Sequence, residues 1–206
     1  MSIALDHVIY TVPDLEVAAE RFLDNFGLAS IDGGAHPEFG TANRIVPLGD
    51  NYLELMGIRD AAAADRNPIG SFVAQHIEAG GGFLGWTVRS DDLDHTCARL
   101  GLSPIPGERT RPDGSTIRWR AGGLERLLTD PSLPFFIEWD DPAAHPGLDT
   151  AIHPIEPRGI SWIEVGPHPG LDDWLGAHGL DVRVTGARPG PTAIGIATDA
   201  GELEIR

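Results

Sequence analysis

Three short stretches set a group able to do chemistry inside an otherwise apolar run. "LDHVIYT" carries His7, "NYLELMG" carries Glu54, and "PFFIEWD" carries Glu138. A carboxylate flanked by Leu53, Leu55 and Met56 is expensive to bury unless a cation or a hydrogen-bond donor meets it. Glu54 and Glu138 are therefore candidate catalytic carboxylates, able to shuttle a proton where apolar walls tune the carboxyl. The imidazole of His7 is either a metal ligand or a core residue with both nitrogens satisfied, and the strand leaves both open.

Side chains suited to holding a ligand surround these groups. The loop "GGAHPEFGTANR" combines glycines, which tolerate unusual backbone angles, with His36, Thr41 and Asn43, all able to hydrogen-bond a substrate. Tyr52 shares a strand face with Glu54. Arg118 and Arg120 flank Trp119 in "TIRWRA", so two cations share one face; they either clamp a substrate carboxylate or pair with local acids. Trp86, Trp119 and Trp139 either line an aromatic pocket, with Trp86 as a substrate contact, or pack the core. His145, His153 and His168 stand beside prolines without regular ligand spacing and remain unassigned. No G-x-S-x-G elbow, phosphate-binding glycine loop or paired-cysteine motif is present.

The elements that must position these residues come as a repeat. "TVPDLEVAAERFLDNFGL" starts at Thr11, "TVRSDDLDHTCARLGL" at Thr87 and "EVGPHPGLDDWLGAHGL" at Glu164. Each runs from a β-rich stretch through a polar turn into an amphipathic helix that stops at Gly-Leu. Leu15, Ala18, Ala19, Phe22 and Phe26 form one apolar stripe, as do Leu93, Cys97 and Leu100, and Leu171, Trp174 and Leu175. Asp14 and Ser90 are expected N-caps, and Gly27, Gly101 and Gly179 the helix stops. Strand pairs follow: "TANRIVPL" with "NYLELMG", "STIRWRA" with "LPFFIEW", and "TAIGIAT" with "GELEIR". The chain thus reads as a βαβββ unit over 1–58, an inserted helical segment over 59–80, and a second unit over 81–142. A connector over 143–158 leads to a third βαβββ-like unit over 159–206.

Composition sets the outer limits. With 206 residues, 41% hydrophobic and 22% charged, the chain can bury a real core as an ordinary globular protein. A formal charge of −16 argues against nucleic acid and anionic membranes as partners, and could draw a cationic ligand. No run approaches a membrane span, and Asp6 interrupts the first apolar stretch where a signal peptide would need continuity. A single cysteine, Cys97, rules out an internal disulfide and suits a cytoplasmic setting as a small core residue.

The tandem βαβββ pattern, carried by "LDHVIYTVPDLE", "GGAHPEFGTANRIVPLGDNYLELMG", "RPDGSTIRWRAGG" and "LPFFIEWD", resembles the glyoxalase-like domain family. That family lies within the vicinal oxygen chelate superfamily of glyoxalases, bleomycin-resistance proteins and extradiol dioxygenases. The resemblance implies an α+β fold in which tandem units form curved mixed sheets around a cup. It also implies a possible divalent metal (iron, manganese, zinc or magnesium) held by His7, Glu54 and Glu138, with His36 as a further ligand. Phe83 aligns with His7 in the second unit and cannot ligate, nor can Gly85 or Trp86 beside it; in a metal-free cup His7 would instead hydrogen-bond Glu54. Ile160 takes the His7 position of the third unit, with Glu204 in register with Glu54, so that unit is read as structural, pairing with another unit or across a homodimer. Two functions follow from the resemblance: lyase- or dioxygenase-type chemistry on a small oxygenated metabolite, or metal-free binding of a small molecule.

Overall fold

The computed structural model describes residues 2–186 and 188–206. The first unit runs β1 (Ile3–Thr11), α1 (Leu15–Phe26), β2 (Ile31–His36), β3 (Thr41–Pro47) and β4 (Tyr52–Ile58). Two helices, α2 (Ala61–Asp65) and α3 (Pro68–Glu78), lead to β5 (Gly82–Ser90), α4 (Leu93–Leu100), β6 (Ile105–Thr110), β7 (Thr116–Gly122) and β8 (Phe135–Trp139). These eight strands close into a barrel in the order β1-β4-β3-β2-β6-β7-β8-β5, so the two curved sheets meet at both edges. One seam is the long antiparallel pairing of β1 with β5; the other is a single contact of Ala35 with Thr110.

Local chemistry accounts for the helices. Asp14 accepts hydrogen bonds from the amides of Glu16 and Val17, and Gly27 closes α1 in the left-handed conformation at φ 66°. On α4 the cap is Asp92 rather than Ser90, whose hydroxyl accepts the Asp92 amide instead. The helix of the third unit, α5 (Leu171–Leu175), lasts five residues and stops at Gly176, short of Gly179. Its three apolar side chains are nonetheless buried.

The C-terminal strands β9 (Pro157–Val165), β10 (Val182–Val184), β11 (Pro191–Thr198) and β12 (Gly201–Ile205) form a separate four-stranded sheet. Its apolar side, with Ile160, Ile163, Ile194 and Ile196, joins one core with Leu5, Val8, Trp86 and Val88 of the barrel's outer face. Asn51 pins the two together, accepting from the Ile160 amide (2.7 Å) and donating to its carbonyl (3.2 Å). The third unit therefore backs the barrel from outside and adds no strand to it. Among the described residues no helix is long and apolar enough to cross a membrane.

Two irregularities on the β1–β5 seam decide which side chains enter the barrel. The register skips between Leu5 and His7 and again between Ile9 and Tyr10. A bulge breaks strict alternation, and the first skip buries Asp6 and His7 side by side. Opposite the second, Leu84 lines the interior while Phe83 packs edge-on against Tyr10 in the outer core.

Candidate active site

The barrel encloses an open-mouthed cup. Its polar groups are His7, His36, Asn43, Tyr52, Glu54 and Arg109. Alternation along β1 and β4 explains four of the inward side chains: His7 and Ile9 on the first, Tyr52 and Glu54 on the second, with His7 paired to Tyr52 and Ile9 to Glu54. The His7 ring stacks on Tyr52, with centroids 4.6 Å apart and planes 18° apart.

Asp6 sets the state of His7. Its carboxylate, fully buried, lies 2.7 Å from His7 Nδ1 and 3.1 Å from His145 Nε2, and accepts from Trp139 Nε1 at 2.9 Å. Arg89 Nη1 stands 3.5 Å away. Burial alone would raise this carboxyl, but the hydrogen bonds from His145 and His7 outweigh it and hold Asp6 well below the usual carboxylate range. An ionised Asp6 only accepts, so Nδ1 of His7 carries a proton and donates to it. The Nε2 of His7 faces the Thr87 hydroxyl at 2.9 Å and Glu54 Oε2 at 3.7 Å. His145 Nδ1 accepts the Gly147 amide, which leaves Nε2–H to donate to Asp6.

On the opposite side Asn43 links two charges. Its Nδ2 donates to Glu54 Oε1, and its Oδ1 accepts from Arg109 Nη1 at 2.9 Å. Among the described residues this is the only hydrogen bond of the Arg109 guanidinium, and no carboxylate forms an ion pair with it, although Arg109 is only 3% exposed. Burial lowers its pKa below the usual arginine value, against the attraction of Tyr52 and Glu54, yet an arginine stays charged at neutral pH. Burial and the neighbouring charges of Asp6 and Glu54 hold the Tyr52 phenol protonated, well above its ordinary value. Enclosure pushes His36 down to about 4, with Arg109 and His7 opposing the pull of Glu54. His36 is thus neutral at pH 7, its Nδ1 3.1 Å from the Thr41 hydroxyl.

A family model described as a glyoxalase-like domain matches residues 5–174, spanning both units of the barrel. The chain belongs to the glyoxalase-like domain family. No protein of curated function matches the sequence. Among solved structures, a hypothetical protein from Staphylococcus aureus aligns at TM-score 0.59 with 19% identity, covering 80% of this chain and 69% of its own. A methylmalonyl-CoA epimerase in complex with methylmalonyl-CoA and NH4+ aligns at TM-score 0.50 with 16% identity, covering 70% and 99%. The methylmalonyl-CoA epimerase from Mycobacterium tuberculosis aligns at TM-score 0.46 with 23% identity, covering 66% and 85%. The barrel is accordingly the vicinal oxygen chelate fold.

Within this glyoxalase-like cup the expected residues divide. His7, His36, Asn43, Tyr52 and Glu54 converge, and Thr41 stands behind His36. Four do not enter. Glu138 lies on the outer face of β8, because its neighbours Ile137 and Trp139 take the inward positions; it pairs with Arg120 and accepts the Leu93 amide. Arg120 is held there by Glu138 and Asp94, and Arg118 by Glu108, since Trp119 between them points inward. Trp86 faces the third unit and donates Nε1 to the Ser132 carbonyl at 3.1 Å. The direct His7–Glu54 hydrogen bond does not form either, because Asp6 and Thr87 take both imidazole nitrogens. His153 and His168 serve loops, bonding Ala29 and Pro47, and Gly170, respectively.

Sequence reasoning does not assign Asp6, Arg109 or His145 to the site. The signal for Asp6 is a charge beside His7 in an apolar strand. Arg109 sits in "GERTRPDG", whose polarity reads as a loop, yet it pairs with Ile117 in the β6–β7 ladder and takes an inward position there.

The donor set does not fit the expected metal. With Glu138 outside, among the described residues no three His, Cys, Asp or Glu side chains come close enough to hold an ion. Only His7 and Glu54 face each other; Glu54 Oε1 is taken by Asn43, and the bare Arg109 guanidinium in the same cup repels a dication.

Proposed function

We propose that the cup binds a small organic acid bearing a carbonyl next to an acidic C–H bond, and moves that proton without a metal. The supporting observation is the pair of groups sharing one cup: a buried arginine without an anion, and a carboxylate oxygen 3.7 Å from an imidazole nitrogen. A buried cation without a counter-ion is costly, and a ligand oxyanion supplies the missing anion. The same feature disfavours a cationic ligand.

In this reading Arg109 and the Tyr52 hydroxyl hold the substrate's oxygen atoms. Glu54 Oε2 takes the proton from the carbon; the C–H electron pair forms the C=C bond as the carbonyl π pair moves onto oxygen, and the resulting enolate is stabilised by Arg109. The proton passes from Glu54 to His7 Nε2, and Asp6 stabilises the imidazolium that forms. Return of the proton to carbon completes the cycle, so Glu54 and His7 work as a two-base relay.

Proton–deuterium exchange at C3 of 2-oxo acids in D2O, followed by NMR, tests this. Wild-type protein is expected to accelerate exchange, and Glu54→Gln to abolish it while the acid still binds. Arg109→Gln is expected to weaken binding roughly 10- to 100-fold, the range of a buried charge-assisted hydrogen bond. Binding without accelerated exchange would leave a binding protein rather than an enzyme.

A further inference from the structure

The polar groups occupy only part of the cup. On the other side of Glu54 and Asn43 the wall is hydrocarbon: Met56, Leu84 and Leu127, with Ile69 and Val73 from α3 and Leu124 from the 3-10 turn Leu124–Leu128. Met56, Val73, Leu84 and Leu127 belong to one apolar cluster with Ile9 and Phe135, and Leu124 packs against it. Ile69 and Leu124 remain partly exposed, so this apolar side reaches the mouth.

The helical insert between the two units builds this wall and is fixed at both ends. Asn67 caps α3 by accepting the amides of Ile69 and Gly70, with Pro68 at the first helical position. Gly70 is packed so closely that a Cβ there would lie 2.3 Å from the Phe39 carbonyl oxygen, so the helix sits directly on the β2–β3 turn. At the far end His76 Nδ1 meets the Thr11 hydroxyl at 2.7 Å. Between these anchors Ile69 and Val73, four residues apart, present one helix face to the cup. The insert is thus a wall of set position.

We infer that the acid bound in the cup carries an apolar tail of isobutyl or benzyl size, seated against Ile69, Val73, Leu124 and Leu127 while its oxygen atoms face Arg109. This rests on the reading of the polar end given above. An acid without a tail would leave the hydrocarbon wall wetted or empty, and one with a second charged end would bury that charge unpaired.

Titration calorimetry with pyruvate, 4-methyl-2-oxopentanoate and phenylpyruvate tests it. Each added carbon buried in the apolar side is expected to tighten binding about fourfold, so the isobutyl acid should bind roughly sixtyfold more tightly than pyruvate. Ile69→Trp and Val73→Phe, which fill the compartment from different depths, should each erase that preference and leave pyruvate binding unchanged. Equal affinities across the wild-type series, or a preference that survives both substitutions, would overturn the tail assignment while leaving the acid-binding reading intact. Failure of all three acids to bind would remove both. The wild-type series decides the question even if one variant does not fold.

Discussion

The barrel is built from two copies of one unit, and its two walls differ. On the first wall β1 and β4 contribute His7, Tyr52 and Glu54, and β3 contributes Asn43. On the second, β5 and β8 contribute Leu84, Phe135, Ile137 and Trp139, and the one charge comes from Arg109 on β6. The last strands show how the difference arises. Tyr52 pairs with His7 and Phe135 with Thr87, the neighbour of His7 across the seam. Tyr52 and Phe135 both line the cup; counting on by twos keeps Glu54 and Ile137 inward, so Glu138 faces outward as Leu55 does. A shift of one residue in a strand exchanges its faces, so two similar strands carry a carboxylate to opposite sides. The proposed bases and the proposed anion holder therefore come from different copies.

The most damaging way to break this asymmetry is Asp6→Ala. It leaves His7, His145 and Trp139 with donors aimed at nothing and frees the tautomer of His7. Removing one partner from a buried charged network costs about 3–5 kcal/mol, so urea denaturation should show a loss of that order, together with loss of the proton exchange assigned to the cup. The low Asp6 pKa has a matching sign: its contribution to stability is complete above the unfolded carboxyl value near 3.8 and is lost as the pH falls through its depressed folded value.

His36 gives the next largest effect, again confined to the first wall. Its pKa falls from 6.5 unfolded to about 4 folded, so between these values the unfolded chain binds a proton that the folded chain refuses. Stability should therefore decline as the pH drops from about 6.5 to about 4, by roughly 1–2 kcal/mol given the partial exposure of the residue. His76 and His153 are shifted in the same direction and add to the slope. Denaturation midpoints of wild type and His36→Gln across that interval should diverge, with the variant flatter.

How much of this is legible in the sequence follows from the same alternation. The paired units of the barrel are legible because apolar periodicity, capping aspartates and glycine stops are local signals, and the resemblance rests on whole units. Asn43 and Glu54 are legible because β3 and β4 alternate cleanly around them, and His7 because it keeps the same inward face as Ile9 despite the skips on either side. Glu138 and Trp86 are misplaced because facing depends on a bulge and a one-residue offset, which partner strands impose and the strand's own letters do not record. Arg109 is missed because an inward arginine on a polar edge strand looks like any surface arginine until its ladder partner Ile117 is known. A test of facing at Trp86 is Trp86→Phe: loss of its bond to the Ser132 carbonyl should cost about 1–2 kcal/mol in thermal or urea denaturation and leave acid binding in the cup unchanged.

The smallest expected effect is at Glu138, and it isolates the comparison most cleanly. Glu54→Gln and Glu138→Gln remove the same atom type from matching strands. The first carboxylate is 5% exposed, donated to by Asn43 and 3.7 Å from an imidazole nitrogen; the second is about a third exposed and paired with Arg120, which Asp94 also holds. A solvent-screened ion pair contributes about 0.2–1 kcal/mol, and the carboxamide oxygen of the substituted side chain can still accept from Arg120 and from the Leu93 amide. Glu138→Gln should thus shift the denaturation midpoint only slightly and leave proton exchange at the wild-type rate, because no atom of Glu138 lines the cup. A large loss of exchange in Glu138→Gln with stability intact would mean that β8 presents its other face in solution, and the division of labour between the two copies would then have to be redrawn.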